Sequence, residues 1–447
     1  MTCAGVSRTW QRICEDDQTW RQKCLEKGYV EFDAPSFRFL GGWAANRPNK
    51  QAGMTICSHM DLQEAQQNRQ AREVAYGQCY ERSSWKSLYL RKRRIISNWR
   101  SRAIQSSTVI EDDFQQTICL QIRPGRIITG SHDYKLLVWN VEDAQPAFAL
   151  TGANGPPMSY QVSEHGKYIV CSGFDGSLRV WCGQTGAQLH VLRGHTEHIS
   201  CMSLHGTTLV SGSHDQTLRV WDIVDGKCLH ILPVAAWRCV KFDGERVVFF
   251  GLGCTVNVWN VHTEECLHTL TGHTWPVDSL LFEPERDLVV AGSDGTIRVW
   301  DVQRGTCIAL LRSLEELPFA GRCFGLQLRG NILVSYYDSD VWIWDIREGG
   351  SCIHHLHGVN GQTSTITSLQ LLDSGLMVTG SENGRVMLWD VDKGTFVRDL
   401  VRSRSSEPGR YYLDFKATET SLVCGVRSED RTEATKLIFI DFDASYP

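Results

Sequence analysis

The stretch TLVSGSHDQTLRVWDIVDGKCLHIL, residues 208–232, holds two apolar runs of strand length joined by a turn at His214-Asp215-Gln216. A second turn at Val224-Asp225-Gly226 leads into a third run. One such sheet cannot bury both of its faces, so it needs neighbours of the same kind. The sequence supplies them. Trp221 belongs to a series, Trp139, Trp181, Trp221, Trp259, Trp300, Trp344 and Trp389, spaced by 42, 40, 38, 41, 44 and 45 residues. That is the period of four short strands and their turns. Six residues before the tryptophan an aspartate stands in five of the seven units (Asp133, Asp175, Asp215, Asp294, Asp338), while Gly253 and Asn383 break the pattern. The spacing predicts a mainly β chain whose blades stack around a channel as a β-propeller, a fold that usually binds partners.

Within the third unit, His195, Ser211, Asp215 and Trp221 read as a structural tetrad, a buried hydrogen-bond chain tying the turns of one blade together. A Ser/His/Asp set also suits a hydrolase, but its repetition argues against that, since a nucleophile is not needed once per blade. The Gly-His turn persists at Gly194-His195-Thr196 and Gly272-His273-Thr274. A degenerate unit follows Trp389 in YYLDFKA, SLVCGV and KLIFIDFD, with Ile440-Asp441 where Trp-Asp is expected. Counting it gives eight blades, with seven as the alternative. Its outer strand is expected in STVIED, Ser107 to Asp112, which precedes the first repeat and would remove the open edge.

Composition narrows the class. The 447 residues suffice for a large core built by repetition, and the net charge of −5 gives no overall pull toward nucleic acid. The 17 cysteines are odd in number, form no CxxC pair and fall largely within strand patterns, and no signal peptide opens the chain. They are expected as reduced core residues of a nuclear or cytoplasmic protein. No apolar run is long enough to span a membrane. Neither a P-loop, nor HExxH, nor GxSxG, nor a ligand-spaced metal cluster is present, so no enzyme activity, cofactor or metal is expected.

Residues 106–445 are therefore assigned to the propeller. Ahead of it, Val6, Trp10, Ile13, Cys14, Trp20 and Cys24 recur at helical spacing, with Gly28 as the stop. Residues 29–80 read as a partly irregular insertion. Residues 81–105 form a basic helical linker with eight basic residues and no acid from Arg82 to Arg102. Arg91-Lys92-Arg93-Arg94 reads either as a nuclear import signal or as a solvated face. In the second reading Trp85, Leu88, Tyr89, Ile95 and Trp99 pack on the propeller.

WQRICEDDQTWRQKC (residues 10–24) resembles the last helix and tail of an F-box, and SWKSLYLRKRRIISNWR (84–100) resembles the linker that follows it. With GHTEHISCMSLHGTTLVSGSHDQTLRVWDIVDGKCLHIL and the C-terminal LVCGVRSEDRTEATKLIFIDFD, the chain is similar to F-box/WD-repeat substrate receptors of SCF ubiquitin ligases. The likeness is to the cell-division-control branch, which reads phosphorylated degrons. It implies an eight-bladed WD-repeat propeller after a small α-helical F-box remnant, residues 1–28. It also implies a Skp adaptor and cullin core as partners, with Trp10 and Trp20 on the adaptor side, and a protein or peptide substrate held without a catalytic residue. The family's F-box runs further toward the N-terminus, so this one reads as truncated, and a WD-repeat interaction scaffold without a ligase is the alternative.

The resemblance also implies arginines clamping phosphate on one propeller face. The matching positions hold Gly176, Ser200, His214 and Asp414, and Arg238 is the surviving basic residue. Substrate is instead expected against His132, Tyr134, Phe174, His214, Arg238, Trp275 and Tyr337, a more apolar and aromatic rim than a phosphate reader needs.

Overall fold

A computed structural model of the chain describes residues 16–27, 29, 84–101, 107–112, 117–123, 126–131, 136–140, 145–151, 159–163, 166–234, 238–293, 295–312, 323, 325–357, 364–402, 411–428 and 435–443. It divides into two compact units, residues 1–107 with 418–422 and 440–447, and residues 108–417 with 423–439.

The larger unit is built from eight four-stranded sheets. Seven follow chain order, each closing with its own fourth strand; the third, for example, runs through Ile199–His205, Thr208–Ser213, Leu218–Asp222 and Lys227–Leu232. The eighth is composite. Tyr411–Ala417, Ser421–Ser428 and Thr435–Asp441 supply its inner strands, and Ser107–Asp112 is the outermost, paired with Thr435–Asp441. The eight-blade count and the closing strand are thus as the sequence indicates.

Apolar cores lie between blades. Val248, Phe250 and Val256 of the fourth blade pack with Leu280, Val289 and Trp300 of the fifth. The first blade meets the last in the same way, Leu120, Ile127 and Trp139 against Val423 and Leu437. Strand alternation makes this possible, since each inner strand offers one row of Val, Ile or Leu to either neighbour. A second link recurs at the rim. His190 Nε2 lies 2.8 Å from the carbonyl of Val224, and His354 Nε2 3.2 Å from that of Asp392, each in the next blade's last turn.

The tetrad forms as expected. His195 Nδ1 is 2.8 Å from Asp215 Oδ2, His195 Nε2 is 2.8 Å from Ser211 Oγ, and Trp221 Nε1 donates to Ser211 Oγ at 2.9 Å. Burial pushes the Asp215 carboxyl up, but donors from Thr217, His195 and the Thr196 amide outweigh it and hold it down to about 2. In the first, sixth and seventh blades the tryptophan keeps a hydroxyl partner, Thr129 for Trp139, Ser335 for Trp344 and Thr379 for Trp389. The fifth blade lost it. Ala291 occupies the serine's place beside His273, and the buried His273 Nε2 has no hydroxyl to bond there.

In the smaller unit, Asp16 caps the helix Asp17–Glu26 through the Thr19 amide at 3.1 Å. Residues before Asp16, Gly28 and most of the 29–80 insertion lie outside the described residues. Trp20 packs on Tyr89 of the helix Ser84–Arg100, ring centroids 5.3 Å apart. Two members of the basic run are not solvated. Arg91 and Arg94 both bind Asp443, each at 2.7 Å, and the pair is buried. Burial pushes the Asp443 carboxyl up, yet the two guanidinium groups outweigh it and hold it below the usual carboxylate range. Beside them Trp99 stacks on Phe442 at 3.6 Å and donates to the Glu419 carbonyl at 2.8 Å. Residues 419, 442 and 443 cluster with this helix rather than with the blades.

The missing hydroxyl beside His273 makes a prediction. Burial, aided by Arg298, depresses its imidazole to about 4. A depressed histidine binds its proton better in the unfolded chain, so stability is full above about pH 6.5 and falls as pH drops toward 4. Replacing Ala291 with serine restores a partner and raises stability by about 1 kcal/mol, whereas Ser211→Ala lowers it by about 1–3 kcal/mol. Thermal melts of both variants check this; unchanged melting in both removes the tetrad as a stabilising element.

Candidate functional site

Strands alternate direction within a blade, so the start of its first strand and the turn joining its second and third strands open on one face of the propeller. That geometry collects residues far apart in sequence. Phe174 lies in such a turn of the second blade and is 56% exposed. Its ring stacks on His198, which precedes the first strand of the third blade, at 5.7 Å and an 8° interplanar angle. His198 stacks in turn on His214 at 3.9 Å. Burial, then the neighbouring His198, lowers the His214 imidazole below its ordinary value, which favours the uncharged form of that ring. Leu252 and Trp275, 61% and 60% exposed, continue the apolar surface over the fourth and fifth blades.

The positions matched to phosphate-clamping arginines fall at two kinds of place on this face, Gly176 and His214 in turns and Ser200 at the start of a first strand, while Asp414 lies within Tyr411–Ala417. In four blades the first strand carries a bulge, its extra residue being Ile118, Ser200, Asp278 or Thr367. A bulge re-aims one side chain out of the pleat, which is how a strand start is made into a contact position. Arg238 stands at the corresponding place just before the fourth blade's first strand, and its guanidinium lies 3.7 Å from Asp278. Its charge therefore faces a carboxylate. Gly176 is the most constrained of the set. Its φ is +70°, and a Cβ there would approach the carbonyl oxygens of Glu197 and His195 at 2.8 and 2.9 Å, so no arginine fits this backbone. Asp414 is partly buried, and burial raises its carboxyl, offset in part by Lys416.

Among the other expected residues, Tyr337 is half-buried and hydrogen-bonds the Cys323 thiol, which burial pushes up to about 11. His132, Tyr134 and Trp10 lie outside the described residues. Trp20 is half-buried, with Lys23 and Lys86 over its ring at 5.4 and 5.7 Å. Two features escaped sequence reading. His198 completes the ladder, and its only signal was its place two residues before Ser200. The sixth blade also brings Asp340, His355 and His357 together, three metal-competent groups where no cluster was expected.

The "F-box/WD repeat-containing protein sel-10" of Caenorhabditis elegans is 41% identical over 452 residues, 99% of this chain and 75% of that protein. The chain belongs to the F-box/WD-repeat family. The repeat described as "WD domain, G-beta repeat" matches residues 145–182, 186–222, 264–301 and 350–390. "F-box/WD repeat-containing protein 7" of Drosophila melanogaster is 38% identical over 36% of this chain and 10% of that protein. "Pre-mRNA-processing factor 19" of Bos taurus is 32% identical over 29% of the chain and 25% of its own length. Among solved structures, the computationally designed Ika8 protein superposes with a TM-score of 0.60 at 27% identity, covering 73% of this chain and 96% of its own. In this F-box/WD-repeat chain, then, repeats missed by that description, such as the fourth blade, still fold as full sheets.

The histidine ladder is testable by NMR. His214 is expected to titrate below the ordinary imidazole value, and His198→Ala shifts its midpoint upward. A His214 midpoint unaltered by that substitution would break the ladder as described.

Proposed function

We propose that this chain is the substrate-recognition subunit of an SCF (Skp–cullin–F-box) ubiquitin ligase and holds target proteins on the propeller face for ubiquitination and degradation. Family membership along 99% of the chain carries this reading. The subunit contributes proximity: a lysine of the held substrate meets the conjugating enzyme at a raised effective concentration, and no catalytic side chain is required of the receptor. The helical unit is the adaptor side. There Trp20 acts by holding the helix Asp17–Glu26 to the helix Ser84–Arg100 through Tyr89. Residence in the nucleus, the cytoplasm or both accompanies this role.

The chemistry of the face favours a peptide anchored by apolar and aromatic side chains. Phe174, Leu252 and Trp275 offer exposed area, and the stacked His198 and His214 offer flat rings. Phosphate finds less. Gly176 admits no side chain, and Arg238 already faces Asp278. A phosphate dianion needs several charge-assisted donors, each worth roughly 1.5–3 kcal/mol, and one shared guanidinium does not replace them.

Two measurements test the reading. Mixed with purified Skp adaptor and cullin, the chain is expected to co-elute as one complex; failure to associate leaves it a WD-repeat interaction scaffold. For a degron-type peptide bound to that complex, phosphorylation is expected to change Kd by less than about tenfold, and Trp275→Ala to weaken binding by about tenfold or more. A hundredfold gain on phosphorylation would restore the phosphate-reading role that the resemblance implies.

A further inference from the structure

The sixth blade carries a side-chain cluster that neither its repeat nor the substrate face explains. Asp340–Asp345 and Ser351–Leu356 are its third and fourth strands, and their register pairs Val341 with Leu356 and Trp342 with His355. One step further along the ladder sets Asp340 opposite His357. Side chains alternate across a strand, so Asp340, Trp342, His355 and His357 share one side of the hairpin. The Asp340 carboxylate hydrogen-bonds His357 Nδ1 and lies 3.9 Å from His355 Nε2. The three donor atoms all fall within 4.8 Å of one another. The His355 ring is also fixed in plane, stacked on Trp342 at 3.6 Å and 10°.

We propose that Asp340, His355 and His357 form a Zn2+ site. Two imidazole nitrogens and one carboxylate oxygen are borderline donors, suited to zinc; calcium and magnesium take oxygen-only shells. Tetrahedral ligands at about 2.0–2.1 Å from zinc stand roughly 3.3 Å apart, so the Asp340–His357 pair opens slightly while the gap to His355 narrows. The freedom for it lies in one residue. The His357 side chain is 68% exposed, while Trp342 stacks on His355. As the ion enters, His357 Nδ1 gives up the proton it shares with Asp340, which passes to the ring's other nitrogen. Three protein ligands leave a fourth position for water or for a donor from a bound partner. The fold also fixes where this position lies. Asp340 follows the turn at Asp338-Ser339, and His357 follows the fourth strand, so the site sits at the edge of the face that carries Phe174 and Trp275.

Isothermal titration of the full chain with Zn2+ under reducing conditions tests this, with His357→Ala and Asp340→Asn as the comparison chains. The cysteines also take up zinc, so the reading is the difference between chains. The unmodified chain is expected to bind one more equivalent, and each variant to lose that equivalent or weaken it by about tenfold or more. Melting in the presence of a chelator should be the same for His357→Ala as for the unmodified chain, because the side chain is exposed. His355→Ala, with Co2+ as a spectroscopic probe, gives the third arm: loss of the nitrogen- and oxygen-ligand band is expected. Equal zinc stoichiometry and affinity in all chains, with an unaltered cobalt spectrum, would overturn the site.

Discussion

A ring of blades has an apolar interface on both sides of every sheet only if the last sheet meets the first. In this chain that closure depends on pairing Ser107–Asp112 with Thr435–Asp441, two segments from opposite ends of the propeller sequence. Once the strand is in place, the eighth blade has its full four strands, and the core formed by Trp139, Leu120 and Val423 joins the first blade to the last. Every other feature assumes this. The tetrad of His195, Ser211, Asp215 and Trp221 fixes the turns of one blade, but it cannot position that blade relative to the next.

The same rigidity explains how a binding face arises without catalytic machinery. Turns held by Asp215-type carboxylates project side chains at set heights, and bulges at the strand starts turn Ser200, Asp278 and Thr367 out of the pleat. Substituting at these few places changes what is read and leaves the ring intact. The Arg238–Asp278 pair shows how: two residues at corresponding positions of neighbouring blades face one another, so a positive contact position is neutralised from the next blade. Gly176 shows the steric counterpart, a position closed to any side chain by the backbone of the blade beside it.

Much of the fold was legible because it repeats. The Trp interval set the blade length, Ile440-Asp441 marked the degenerate eighth unit, and STVIED was recognisable as a strand with no other partner. The site was less so. Phe174, His214 and Trp275 were visible as turn residues, but His198 becomes a neighbour of Phe174 and His214 only through stacking across two blades. The Asp340, His355 and His357 cluster was hidden for another reason. Strand register, not sequence spacing, brings these residues together, and 15 to 17 residues of hairpin separate Asp340 from the histidines. Arg91 and Arg94 read as part of a charged run because their partner, Asp443, lies at the far end of the chain.

Native-state hydrogen exchange, resolved by residue, tests the closure most directly. If the ring is one cooperative structure sealed by Ser107–Asp112, amides in Thr435–Asp441 exchange no faster than those of central strands such as Thr208–Ser213 and Leu218–Asp222. Rapid exchange of Thr435–Asp441 while the central strands stay protected would contradict this, showing a propeller open at its last blade.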